Sequence, residues 1–151
     1  MMKDLNTLFK RDLEKLAHEI NAYPEDHQLW QVIPGITNPG GNLALHLCGN
    51  LREFIGRQLG NIPYQRNRAY EFGATGVHRQ EIIDEIHTTI EAVSQTLIHF
   101  DPQRLPDPYP QEVFGFSMSN EYFLFHLLAH LNYHLGQVNY HRRIISGKNQ
   151  L

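Results

Sequence analysis

Residues 77–100 carry Ile82, Ile86, Ile90, Val93 and Leu97 at intervals of three and four, with Glu81, Glu85, Glu91 and Gln95 largely off that line. The spacing puts the apolar side chains on one stripe of a helix, and a helix of that kind must lay its stripe against other elements. Three more segments supply partners. Leu5, Leu8, Phe9, Leu13, Leu16 and Ile20 follow the same period over residues 3–20, and Pro24 stops it. A second helix is predicted from Asn42 to about Leu59, weakened by Gly49 and Gly56. The last runs from a cap at Ser117 or Ser119 to about Ile145, where Gly147 ends it. Between them lie "WQVIPGITNPGG" (30–41), the basic-aromatic 60–76 stretch, and 101–116 with four prolines and a predicted short hairpin near Val113–Phe116. Four helices and little else predict an all-α four-helix bundle, one domain over residues 1–151. Two of its Pro/Gly-rich connectors are longer than about 12 residues, a length that marks function or a long crossover.

A net charge of −3 gives no basic excess, so nucleic acid and anionic membrane surfaces are not the expected partners. One cysteine, Cys48, excludes an internal disulfide and suits a reducing compartment. The opening "MMKDLNTLFKRDLEKL" is too charged for a secretory leader, and no apolar run approaches the ~20 residues of a membrane span. The expectation is a soluble cytoplasmic protein. Histidine is the outlier, with ten residues.

Four of those histidines, at 126, 130, 134 and 141, lie in "EYFLFHLLAHLNYHLGQVNYHRR". A helix turns about 100° per residue, so with His126 at zero, Gln137, His130, His141 and His134 fall at about 20°, 40°, 60° and 80°. Phe123, Leu127, Leu131 and Val138 share the arc. The imidazoles therefore point into the bundle. An HxxxH pair alone says little: ten histidines in this length give about 0.6 such pairs by chance. Several neutral imidazoles in a dry core each need a partner, however, and one metal ion satisfies them together. His46, in "NLALHLCGNLREF", faces inward on the second helix and offers a third ligand. Three neutral imidazoles leave a Zn²⁺-like ion an open position. Spacing alone leaves the pair as 126/130 or 130/134.

"LALHLCGNLREFIGRQLGNIPYQRNRAYEF" (43–72) and "LLAHLNYHLGQVNYHRRII" (127–145) resemble the DinB-like superfamily of metal-binding four-helix bundles. The likeness is to its branch with an HLxGNLR…RxRxxEF stretch and an HxxxHxGQ motif. It implies a metal triad of one histidine on the second helix and an HxxxH pair on the last, followed by Gly-Gln. Here His134-Leu135-Gly136-Gln137 fits, so the implied ligands are His46, His130 and His134, and His126 is not one. The superfamily includes bacillithiol-using thiol-S-transferases and mycothiol-dependent isomerases, and its bundles are often dimers.

Around that triad, Asn50 lies one turn from His46 on the same face and either orients a ligand or metal-bound water or serves a backbone group. Glu53 is the nearest acidic candidate for a general base, set against the ordinary reading of a solvated carboxylate. Arg66, Arg68 and Glu71 either line an anionic substrate pocket or clasp the connector to the bundle. Gln137 is placed to reach the site or a neighbour. Tyr133 and Tyr140 read as packing, and His141-Arg142-Arg143 as a charged helix end. Cys48 sits about 200° round the helix from His46 and reads as a small core residue, not a nucleophile. HExxH, a nucleophile elbow and di-iron ExxH pairs are absent from the sequence.

Three functions compete. One is an enzyme, hydrolase or thiol-S-transferase in type, using Zn²⁺, or Ni²⁺ or Fe²⁺, on the three histidines, with a small molecule or low-molecular-weight thiol as substrate. Another is a metal or small-ligand binding or stress protein without turnover. The last is a structural bundle with hydrogen-bonded core histidines. Phe125, Leu128 and Leu135, on the face of the last helix away from the triad, predict a homodimer.

Overall fold

All four expected helices form in the computed structural model, which describes residues 1–147. We number them α1 (Met2–Asn21), α2 (Gly40–Leu51), α4 (Arg79–His99) and α5 (Asn120–Ser146), with a short α3 (Arg68–Gly73) in the connector between α2 and α4. α2 continues through a π-helical stretch, Arg52–Arg57, into a final turn at Gln58–Gly60. Short 3₁₀ turns occupy Asp26–Trp30 and Pro102–Arg104. Where a hairpin was expected near Val113–Phe116, the chain makes one isolated bridge, Pro108 to Ser119, that brackets an irregular loop. Ser119 is the cap of α5: its side chain accepts from the Tyr122 N–H, and Gly147 closes the other end with φ +63°.

Side-chain contacts set the directions of the helices. Glu19 near the end of α1 meets Asn139 and Arg142 near the end of α5, while Asp12 meets Asn132, so α1 and α5 run parallel. Phe54 meets Phe123 edge to face while His46 meets His130, so α2 runs against α5. Arg79, opening α4, donates to the Asn21 carbonyl at the close of α1, which makes α4 antiparallel to α1. The bundle is therefore up-down-down-up. Two successive down helices require the chain to travel the length of the bundle between them. Residues 61–78 do this, and a chain of that length reaches about 60 Å when extended.

The stripes point where the sequence put them. Leu5, Phe9, Leu13, Leu16 and Ile20 of α1 and Ile82, Ile86, Val93 and Leu97 of α4 are buried in one core cluster. α2 is buried on every side, all twelve residues of it. Its outer surface is covered by α3 and by the Asp26–Trp30 turn. That explains Gly49 in mid-helix: a Cβ there would collide with the Glu71 carboxylate of α3. The glycine that lowers helix propensity is what lets α3 lie down on α2. No helix among the described residues is long and apolar enough to cross a membrane.

Candidate metal centre

His46 on α2 and His130 and His134, one turn apart on α5, turn their rings to one point. His130 Nε2 is 3.3 Å from His46 Nε2 and 3.1 Å from His134 Nε2. Each of the three rings offers one nitrogen, all within 4.8 Å of one another. The His134 ring stands at 89° to His46 and 90° to His130, so the rings meet edge to face, with no stacking. A tetrahedral ion with Zn–N bonds of about 2.0–2.1 Å holds its ligand nitrogens about 3.3–3.4 Å apart. The two Nε2–Nε2 separations are of that size.

The outer nitrogens fix the tautomers. His46 Nδ1 is 3.0 Å from Glu71 Oε1. A carboxylate only accepts, and Arg66 Nη2, 3.3 Å from the same Nδ1, donates at 2.8 Å to Glu71 instead, so the proton sits on Nδ1 and the inward Nε2 is a lone pair. Burial alone would raise the Glu71 carboxyl, but hydrogen bonds from Arg66 and His46 outweigh it and hold it below the usual carboxylate range. The Arg66 guanidinium reaches both Glu71 oxygens at 2.8 Å. His134 Nδ1 lies 2.6 Å from the Gln137 side-chain oxygen, which likewise leaves its Nε2 as a lone pair. Both lone pairs face His130, whose pKa is lowered to about 3 by burial and by the neighbouring imidazoles. His130 is therefore neutral, and its single proton cannot settle the cluster. On Nε2 it is shared between two acceptors and leaves a buried Nδ1 without a donor. On Nδ1 it is a buried donor without an acceptor, and three lone pairs meet. Nδ1 of His130 is indeed buried with no partner, and so is Oδ1 of Asn50. A cation at the centre removes the conflict, so the donor set fits a divalent ion.

The other histidines separate clearly. His126 stacks on Phe123 with ring centroids 5.7 Å apart and stays outside the group, so geometry brings together 130/134 and not 126/130. His141 is a satisfied core residue: Nδ1 accepts from the Tyr23 hydroxyl at 2.7 Å and Nε2 donates to the Gln31 carbonyl at 2.8 Å. Arg142 is buried against Glu19. The expected charged helix end is thus two core residues, with Arg143 alone partly exposed.

Glu53 is not solvated as expected. It is buried, and Arg57 and Gln58 take its oxygens. Burial works against ionisation there, yet the Arg57 hydrogen bond dominates and holds the carboxyl below its usual range. The acid in contact with the histidine cluster is Glu71. Sequence reasoning saw its clasp with Arg66 but not its bond to His46; the only signal was an acid in the RNRAYEF connector that must lie back over the bundle. Arg68 stacks on Phe72, whose ring is 4.7 Å from His46. Cys48 is buried and its thiol is pushed up to about 12, mainly by desolvation, as suits a core residue. Tyr133 and Tyr140, expected to pack inside, are about two-thirds exposed.

No family model matches the chain, and no curated protein matches it. Among solved structures, a conserved protein of Enterococcus faecalis has TM-score 0.78 at 13% identity over 98% of each chain. That likeness extends over the whole helical arrangement and shows the fold.

Proposed function

We propose that this chain is a divalent-metal protein of the DinB-like kind, with His46, His130 and His134 holding one ion. The observation that carries the reading is the convergence of three Nε2 atoms, two of which the tautomers fix as lone pairs. Zn²⁺ is the first candidate because three imidazoles with an open position suit it; Ni²⁺ and Fe²⁺ share the preference for imidazole. Such an ion activates water or holds a thiolate, the chemistry of a hydrolase or thiol-S-transferase acting on a small molecule in the cytoplasm. The chain's own contribution is positioning. Glu71 fixes His46 and Gln137 fixes His134.

A binding protein without turnover is the second reading, favoured by one observation. Both carboxylates considered for acid-base work, Glu53 and Glu71, are already engaged by arginines. The test common to both readings is elemental analysis of tag-free protein. The wild type is expected to hold one ion per chain, and His46→Ala and His134→Ala close to none, with helical circular dichroism retained. Equal metal in all three would leave a purely structural bundle.

We also place a homodimer contact on the outer face of α5. Phe125 is exposed, Leu128 and Leu135 are half-buried, and Ala129 beside them lets a second helix approach closely. Light scattering on a sizing column is expected to give twice the chain mass, and Ala129→Arg to give the monomer. A wild-type monomer at micromolar concentration defeats this assignment.

A further inference from the structure

Beside the histidine cluster lies a cleft of about 730 Å³, between the loop after the Asp26–Trp30 turn and the exposed side of α5. Its volume is that of a small-molecule site. His134 and Gln137 form the end nearest the cluster, Leu43 the floor, and Tyr133 and Tyr140 the helix wall. Ile36, Thr37 and Asn38 form the opposite wall. None of the lining residues is Lys, Arg, Asp or Glu. Arg143 stacks on the Tyr140 ring and is not part of the lining. Arg66, the guanidinium in contact with the cluster, is committed to Glu71 through both carboxylate oxygens.

Gly136 adds a separate indication. It sits inside a long helix, where glycine is unfavourable, and a Cβ there would meet no atom of the chain within 4 Å. Internal packing does not require it. It borders the cleft, so its bare backbone keeps that wall open to something from outside.

We propose that this cleft is the substrate site of the metal centre and that it admits an uncharged, flat apolar body, with the ligand's metal-seeking atom at the His134 end. The inference rests on the metal reading above. An anionic body is disfavoured because, away from the metal end, a carboxylate entering here would lose water and meet no Lys or Arg in the lining. The two tyrosines offer faces for a ring. The Gln137 amide has its oxygen on His134, which leaves its N–H groups as donors.

The test is calorimetric titration of the Zn²⁺-loaded protein with three hydroxamates that share a metal-binding head: acetohydroxamate, benzohydroxamate and 4-carboxybenzohydroxamate. Benzohydroxamate is expected to bind about tenfold more tightly than acetohydroxamate through burial of its ring. The added carboxylate is expected to erase that gain. Gly136→Leu, an exposed change to a better helix former, is expected to fill the cleft and reduce the benzohydroxamate/acetohydroxamate ratio towards one, with zinc content unchanged. Equal binding of all three by the loaded wild type, or tightest binding of the carboxylated probe, overturns the cleft while leaving the metal centre standing. Protein that takes up no zinc removes both.

Discussion

Glu71→Gln is expected to weaken metal binding about 10- to 100-fold without unfolding the bundle. The amide oxygen can still accept from His46 Nδ1, so the ring keeps its tautomer. What is lost is the negative charge behind the ring, which makes His46 a better donor to a cation, and half of the Arg66 clasp, since one amide oxygen stands in for two carboxylate oxygens. Glu71→Leu goes further. It also removes the partner of Arg66, a side chain only 15% exposed, and leaving such a cation unmatched is expected to cost about 3 kcal/mol of stability. Competition against a chromophoric chelator reads the affinity, and urea unfolding in excess chelator reads the stability of the metal-free fold. Unchanged affinity in Glu71→Gln would reduce the Glu71–His46 contact to a brace for α3.

Local periodicity made the helices legible, because each buried stripe repeats every three or four residues. The inward aim of His46 and of the α5 histidines followed from the same rotation. Partners far apart in sequence were not legible. The wheel put His126, His130, His134 and His141 in one sector, yet only the contacts of α2 and of the 22–39 and 100–119 connectors separate them. His141 finds Tyr23 and Gln31, His126 finds Phe114 and Phe123, and His130 and His134 find His46. α3 escaped because six residues cannot hold a helix by themselves. It exists because Asn67 caps it, and because Glu71 and the carbonyls bonded by Asn42 fasten it to α2. Gly49 read as a weak point for lack of any sign that a carboxylate would lie on it. The exposure of Tyr133 and Tyr140 was hidden for a related reason: an aromatic at helical spacing reads as core until the opposite wall is known to be a loop.

Glu19→Leu is expected to be the most damaging single change away from the histidines. Glu19 and Arg142 are both buried, the side chains 8% and 5% exposed, and they form an ion pair that joins α1 to α5. Asn139 donates to the same carboxylate at 2.7 Å. Removing the acid leaves a guanidinium in the interior without that carboxylate, an imbalance that costs about 3–5 kcal/mol. The pair itself need not be strongly stabilising, since desolvating two charges offsets much of their attraction. The double variant Glu19→Leu/Arg142→Met, which replaces both charges with apolar side chains of similar size, is therefore expected to recover most of the loss. Chemical denaturation of the wild type, both single variants and the double variant forms a complete cycle. If Glu19→Leu falls within 1 kcal/mol of wild type, or the double variant is no better than the single, the Glu19–Arg142 pair does not hold the junction of α1 and α5. Because α5 carries two of the three clustered histidines, a loosened junction is also expected to lower metal affinity in Glu19→Leu and to restore it in the double variant. A fault confined to the far side of the bundle would show no such recovery.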